Sequence, residues 1–260
     1  MKIGIFDSGM GGLLIGRAIR KDMPQYDYIY LGDTKNLPYG NKSQGQIYKN
    51  TVRAVEFLFK KDCALVIIAC NTASSQALRK LQQDWLPKSK YKDRRVLGVI
   101  RPTVENVKGF GQIGLIGTER TIDSTAYLQE LQKINPKIKL QALATPDLVP
   151  MIETGKYDRN ILEKYLADFK NNDALILGCT HYGILKKEIK KILGNKVKII
   201  AQEDLLPKKL HNYLLKHKEI NKKLSKNKKF EILVTKKNHC YLELSQKWFG
   251  KGVKPKLVSL

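Results

Sequence analysis

The stretch Leu65-Val66-Ile67-Ile68-Ala69-Cys70-Asn71-Thr72 decides how this chain is read, because it returns 109 residues later as Leu175-Ile176-Leu177-Gly178-Cys179-Thr180-His181. Each copy is a short apolar run that ends in Cys, continues into an amide or hydroxyl residue and then enters a helix-period segment. A continuous apolar run of this length reads as a strand buried on both faces, the pattern of a parallel sheet covered by helices. Two such strand–Cys–helix units predict two similar parallel-sheet α/β domains facing each other across a cleft.

Strands and helices alternate along the chain. Ile3–Phe6 reads as a strand, followed by a Gly-rich turn and a helix from about Gly12 to Arg20. Tyr28–Leu31 is a second strand. Ser43 is placed to cap a helix carrying Ile47, Val52, Val55 and Phe59. Beyond Cys70 the helical face runs through Ala73, Ala77, Leu78 and Leu81. Strands are expected at Val96–Ile100, Gly114–Ile116 and Val197–Ile199, and helices at Ile122–Leu131, at Ile161–Phe169 behind an Asp158 cap, and at Ile184–Ile192. Breaks near 97–101 and 200–206 place residues 1–97 with 206–260 in the first domain and 98–205 in the second. Phe230–Val234 resumes as a strand, so the lysine-rich C-terminal part is expected to fold.

Composition narrows the class. At 260 residues, 42% hydrophobic and 28% charged, the chain can bury a core and is not a disordered polyelectrolyte. Its longest apolar run, Cys63 to Cys70, has eight residues, far short of the ~20 a membrane-spanning helix needs. An acid, Asp7, interrupts the N-terminus before a signal-peptide core could form. The expectation is a soluble, cytoplasmic protein. Four cysteines (63, 70, 179 and 240) are too sparse for a disulfide framework and form no Cys-x-x-Cys pair. The formal net charge is +24, and 15 Lys against 3 Glu fall between Leu205 and the C-terminus. Such an excess serves solubility, and a secondary nucleic-acid surface is the alternative.

In parallel α/β sheets, ligands bind beyond the carboxyl ends of the strands. Asp7-Ser8-Gly9, Cys70-Asn71-Thr72 and Cys179-Thr180-His181 all fall there. A single strand-end Cys is usually a buried structural thiol, but two in matching settings invite a paired role. The cysteine spacing does not suit structural zinc, and a reducing compartment disfavours a disulfide. Proton transfer on both faces of one carbon remains: inversion needs a base on one side and an acid on the other, and the reverse reaction exchanges them. A thiol reference pKa of ~8.5 makes both forms accessible, and N–H groups at a helix start stabilise the thiolate. Ser8, Asn71, Thr72 and Thr180 are candidates for holding a substrate carboxylate. Asp7 is placed to meet an α-ammonium or assist Cys70, and His181 to assist Cys179.

With these residues the sequence resembles the glutamate racemases. The resemblance rests on Phe6-Asp7-Ser8-Gly9-x-Gly11-Gly12, Leu31-Gly32-Asp33-Thr34 with Leu37-Pro38-Tyr39-Gly40, Ala69-Cys70-Asn71-Thr72-Ala73-Ser74, Gly98-Val99-Ile100-x-Pro102, Val149-Pro150-x-x-Glu153 and Leu177-Gly178-Cys179-Thr180-His181-Tyr182, in order over most of residues 1–200. It implies Cys70 and Cys179 as the acid/base pair, with Asp7, His181 and Glu153 assisting. It implies substrate binding by Asp7-Ser8, Pro38-Tyr39-Gly40, Asn71-Thr72, Thr118 and Thr180-His181. It further implies a cofactor-independent homodimer, with no pyridoxal phosphate and no metal, that supplies D-glutamate for peptidoglycan. The chain departs from the family pattern at Arg101, usually Glu; at Gly183, commonly Pro; and at Thr235-Lys236-Lys237, usually Thr-Gly-Asp.

Three other readings compete with this one. Gly9-x-Gly11 after a strand mimics part of a dinucleotide fingerprint, but Leu14 stands at the third glycine position. The C-terminal lysines lack the interleaved aromatics of a single-strand binder. Racemisation of aspartate or another amino acid by the same mechanism is the nearer alternative.

Overall fold

In a computed structural model, which describes residues 1–237 and 239–260, every strand pairing is parallel. The strands are β1 (Lys2–Asp7), β2 (Tyr28–Gly32), β3 (Cys63–Ile68), β4 (Arg95–Gly98), β5 (Gln112–Gly117), β6 (Lys139–Ala144), β7 (Ala174–Gly178), β8 (Lys198–Ile200), β9 (Phe230–Val234) and β10 (Lys256–Leu257). Among the described residues they form a six-stranded sheet, β10-β9-β2-β1-β3-β4, and a four-stranded sheet, β6-β5-β7-β8. The C-terminal strand β9 lies beside β2, so the lysine-rich segment returns to the sheet that carries Cys70.

The apolar runs at the centre of the first sheet are buried on both faces, with the period-2 division a strand imposes. Ile3 and Ile5 of β1 and Leu65 and Ile67 of β3 join a core that continues into the second sheet. Phe6, Val66 and Ile68 face a separate core on the other side of the first sheet. Each such side chain contributes roughly 1.5–3 kcal/mol relative to an exposed one. The helix Gln44–Lys60 starts with the expected Ser43 cap, as a full capping box with Gln46, and Asp158 caps the helix Arg159–Leu166.

Register positions the site. Phe6 pairs with Ile68 across β1 and β3, so Asp7 and Cys70 leave neighbouring strand ends together. Gly117 pairs with Gly178 across β5 and β7, which brings Thr118 beside Cys179.

The structure corrects several local expectations. Val99 and Ile100 do not extend β4; Val99 is already in the helical region, and a short helix, Ile100–Val104, begins there. The single helix expected over Ile122–Leu131 is two, Glu119–Asp123 and Ala126–Ile134, broken at Thr125 with φ 54°. The helix beyond Cys70 covers Asn71–Gln76 and breaks at Ala77. The edge strand β6 was not foreseen: most of its residues are exposed, so no alternation marks it in the sequence.

Candidate active site

At the end of β1 the Asp7 carboxylate turns back into its own loop. Oδ2 accepts hydrogen bonds from the backbone N–H of Gly9 at 3.2 Å and of Gly12 at 3.1 Å. Oδ1 accepts one from the Thr180 hydroxyl at 3.4 Å, which ties the first unit to the second. Burial pushes the Asp7 pKa up from its ordinary value, against the opposing pull of His181 and of these donors.

Cys70 follows β3 and is the N-cap residue of the helix Asn71–Gln76, its Sγ accepting from the Ala73 N–H at 3.4 Å. The Ser8 hydroxyl lies 3.3 Å from the same sulfur. Burial and the charge of Asp7 push the Cys70 thiol up to about 12, only partly offset by Ser8 and the Ala73 N–H. Cys70 therefore rests as a thiol at neutral pH. Cys179 is close enough for its charge to be felt at Cys70.

Cys179, half-buried, follows β7, and its Sγ is 3.7 Å from Nδ1 of His181. On the other side of the ring, Nε2 of His181 lies 3.0 Å from Oε1 of Glu153. Burial disfavours the imidazolium, but its bonds to Cys179 and Glu153 outweigh that and raise the pKa to about 10. His181 is thus protonated at neutral pH and places a positive charge and a transferable proton beside the second sulfur. The ring is also met edge-on by Trp248 at 5.5 Å between centroids.

The other expected residues divide into two groups. The hydroxyls of Thr72 and Thr118 meet at 2.9 Å, and Gly40 faces Thr118. Thr121, which the sequence reading missed, completes that cluster at 3.0 Å from Thr118 and 3.4 Å from Thr72. By contrast, the Tyr39 hydroxyl, in the loop that starts at Pro38, donates to the buried carboxylate of Asp33 at 2.7 Å, so its ring anchors the loop. The Asn71 side-chain amide is engaged by Gln202 and Tyr127, which leaves its backbone N–H for a ligand. Neither Tyr127 nor Gln202 lies in a recognisable motif, and no sequence signal pointed to them.

The departures from the family pattern fall outside the thiol pair. Arg101 is 80% exposed at its side chain and pairs with Glu105 at 3.5 Å. It lines an open cavity of about 860 Å³ with Ser74, Leu78 and Lys209, a cavity that includes neither Cys70 nor Cys179. A Cβ on Gly183 would run into the Glu203 carboxylate, which occupies the space a larger residue would need. Thr235 donates to Asp33 at 2.8 Å and Lys236 is bonded to Thr34, so the altered C-terminal turn still braces the loop carrying Tyr39. Cys63 is buried in β3, and Cys240 is exposed. Among the described residues no cluster of His, Cys, Asp and Glu is arranged to hold a metal ion, and no helix is long and apolar enough to cross a membrane.

Two cysteines stand at strand ends, one beside Ser8 and one beside His181, in units joined by the Thr180–Asp7 bond. The family model for Asp/Glu/Hydantoin racemase matches residues 14–204. The glutamate racemase of Aquifex pyrophilus is 40% identical over 222 residues, covering 82% of this chain and 84% of that protein. The glutamate racemase of Aquifex aeolicus is 36% identical over 100% of this chain and 98% of its own. The crystal structure of glutamate racemase from Francisella tularensis in complex with D-glutamate superposes with a TM-score of 0.89 at 34% identity, covering 99% of this chain and 97% of that one. A dinucleotide-binding reading of the Gly9 turn gives way to this agreement of geometry and ancestry: the chain belongs to the Asp/Glu/hydantoin racemase family and, within it, to the glutamate racemases.

Proposed function

We propose that the chain interconverts L- and D-glutamate by passing one proton off and another onto Cα from opposite sides, with Cys70 and Cys179 as the two acid/base groups. What supports this reading is a pair of strand-end sulfurs with unlike partners, in two units joined by the bond from Thr180 to Asp7. Cys70 rests as a thiol beside Ser8 and Asp7, while Cys179 faces a protonated His181 held by Glu153.

With L-glutamate bound, the Cys179 sulfur removes the Cα proton and Cys70 delivers its own to the other face. The two sulfurs end with exchanged protonation, which is the starting state for D-glutamate. His181 stabilises negative charge on Cys179 and can return a proton to it. The hydroxyls of Ser8, Thr72, Thr118 and Thr180, the backbone at Gly40 and the Asn71 N–H hold the carboxylates and the charge that develops on them. Burial strengthens each of these interactions relative to water. The lobes 1–97 with 206–260 and 98–205 are proposed to close on the substrate. A cytoplasmic homodimer supplying D-glutamate for peptidoglycan belongs to the same proposal.

The test is exchange of the Cα proton of glutamate and of aspartate for deuterium in D₂O, without added pyridoxal phosphate, for the wild type, Cys70→Ser and Cys179→Ser. Glutamate exchange in the wild type and a loss of roughly 10²–10⁴-fold in either variant are expected. Faster exchange of aspartate would move the chain to the nearer alternative, and undiminished exchange in both serine variants would remove the thiols from the mechanism.

A further inference from the structure

Directly behind Cys70 lies a polar node that the proton transfer itself does not explain. Asn71, Tyr127 and Gln202 are each no more than 2% exposed. They come from three segments: the helix after β3, the helix Ala126–Ile134 of the second unit, and the start of the helix Gln202–Lys216, which packs against the first-unit helix Leu13–Asp22. Asn71 Oδ1 accepts from the Tyr127 hydroxyl at 2.7 Å and from Gln202 Nε2 at 2.7 Å. Asn71 Nδ2 donates to Gln202 Oε1 at 2.9 Å, and Gln202 Nε2 also reaches the Tyr127 oxygen at 3.1 Å. Turning one amide over alone would set donor against donor and acceptor against acceptor, so the two side chains hold each other in place. Burial makes a broken member costly, which gives the node a fixed geometry.

Asn71 is covalently next to Cys70, whereas Tyr127 belongs to the unit that carries Cys179. From this placement we infer that Tyr127 and Gln202 are positioning residues for Cys70, holding Asn71 so that the first sulfur stands at a set distance from the second. The inference rests on the two-thiol reading above and deepens it. Inversion at one carbon demands that both sulfurs reach it in the same closed state. A node that joins the two units one residue from one sulfur is suited to that demand. The backbone supports it: the helix carrying Tyr127 starts from Thr125 in the left-handed region, a conformation a β-branched residue adopts at a cost.

The experiment uses Tyr127→Phe, which removes only a hydroxyl, Gln202→Leu, and the double variant. Thr51→Val is the control, removing a buried hydroxyl bonded to Ile47 within the helix Gln44–Lys60. Steady-state racemisation is followed from both enantiomers, with glutamate bearing hydrogen or deuterium at Cα, alongside thermal melts. Displacing Cys70 alone raises the barrier for the step that moves a proton between Cys70 and Cα. The deuterium isotope effect on kcat/KM therefore rises for the enantiomer Cys70 deprotonates and falls for the other. The accompanying loss in kcat/KM is expected to be ~10–100-fold for Gln202→Leu and smaller for Tyr127→Phe, with the double variant no worse than Gln202→Leu. Thr51→Val is expected to lower the melting temperature without splitting the isotope effects. Variants that melt lower but keep equal, wild-type isotope effects would overturn the inference and leave the node purely structural, as would isotope effects that move in the same direction for both enantiomers. Either result leaves the two-thiol reading standing; a wild type that fails to exchange glutamate at all would remove the reading and the inference with it.

Discussion

Gly11 lies where the two units meet, and Gly11→Ala measures how tightly they must close. A Cβ there would stand 2.6 Å from Nδ1 of His181 and 2.6 Å from Oγ1 of Thr180, whereas ordinary contact begins at 3.4 Å, so both groups must retreat by about 0.8 Å. The backbone of Gly11 is not in the left-handed region, so steric contact alone carries the effect. Neither neighbour can swing aside freely. His181 is held by Glu153 and flanked by Trp248, and Thr180 is bonded to Asp7. The strain therefore passes into the separation between the loop of Asp7 and the loop of Cys179. Overpacking of this kind costs roughly 1–3 kcal/mol, which for a chain of this size lowers the melting temperature by roughly 2–12 °C. The same displacement, close to an ångström between the two halves of the site, is expected to lower kcat by ~10²-fold. The assay is the loss of the circular-dichroism signal of D-glutamate over a range of concentrations, paired with a thermal melt. A cooperative melt together with kcat within about threefold of the wild type would refute the claim that sub-ångström closure governs turnover.

Other perturbations test the electrostatics. Because the folded pKa of His181 is raised to about 10 from an ordinary 6.5, the stability it contributes is complete below pH 6.5 and is lost as pH rises through about 10. Glu153→Gln should therefore lower the melting temperature most below pH 6.5, with the deficit shrinking toward pH 10; a deficit independent of pH would dismiss the ion pair. Asp7 has the opposite consequence: its folded pKa is raised by burial, so its ionisation opposes folding as pH increases. Asp7→Asn should gain in melting temperature relative to the wild type between acid and neutral pH while losing turnover, and a relative loss over that range would contradict the burial argument. At the altered loop, Gly183→Ala should destabilise the protein through the Glu203 carboxylate, and Glu203→Ala in the same chain should recover most of that loss. Simple additivity of the two melting shifts would show that the residues do not share the space.

The candidate residues were legible because their placement is local. The duplicated strand–Cys motif named both sulfurs, and Asp7, Ser8, Thr180 and His181 lie within three residues of a strand end, where a parallel sheet gathers its ligands. The side-chain directions were not legible. Asn71 and Tyr39 sit in the right motifs, yet their polar atoms turn inward to Gln202, Tyr127 and Asp33. Contacts between residues 131 positions apart leave no periodic trace. The strand β6 escaped for a simpler reason: as an exposed edge it buries too little to impose alternation. The C-terminal helix His239–Trp248 carries no motif, and only the fold brings Trp248 against His181.

The two sulfurs occupy matching places in the sequence, but the fold gives them unlike neighbours, and the difference suits the reaction. A pair of identical environments would leave both thiols in the same protonation state, and then one face of Cα would lack either its base or its acid. Here Cys70 is enclosed beside a carboxylate, which disfavours negative charge on its sulfur, while Cys179 lies 3.7 Å from the His181 ring. In the proposed cycle the two faces of Cα therefore meet unlike partners. The reverse reaction exchanges the roles of the two sulfurs, and the Ser8 hydroxyl and Ala73 N–H on Cys70 are the groups able to accept the charge when it arrives. Ser8→Ala should then raise KM for the enantiomer that Cys70 deprotonates, because the Cys70 thiolate is its starting state, and lower kcat for the other enantiomer, whose transition state puts charge on Cys70. Because the equilibrium constant of a racemisation is one, kcat/KM must still change equally in both directions, so the asymmetry should appear in kcat and KM separately. A Ser8→Ala enzyme whose kcat and KM shift identically for both enantiomers would show that the hydroxyl does not carry this charge.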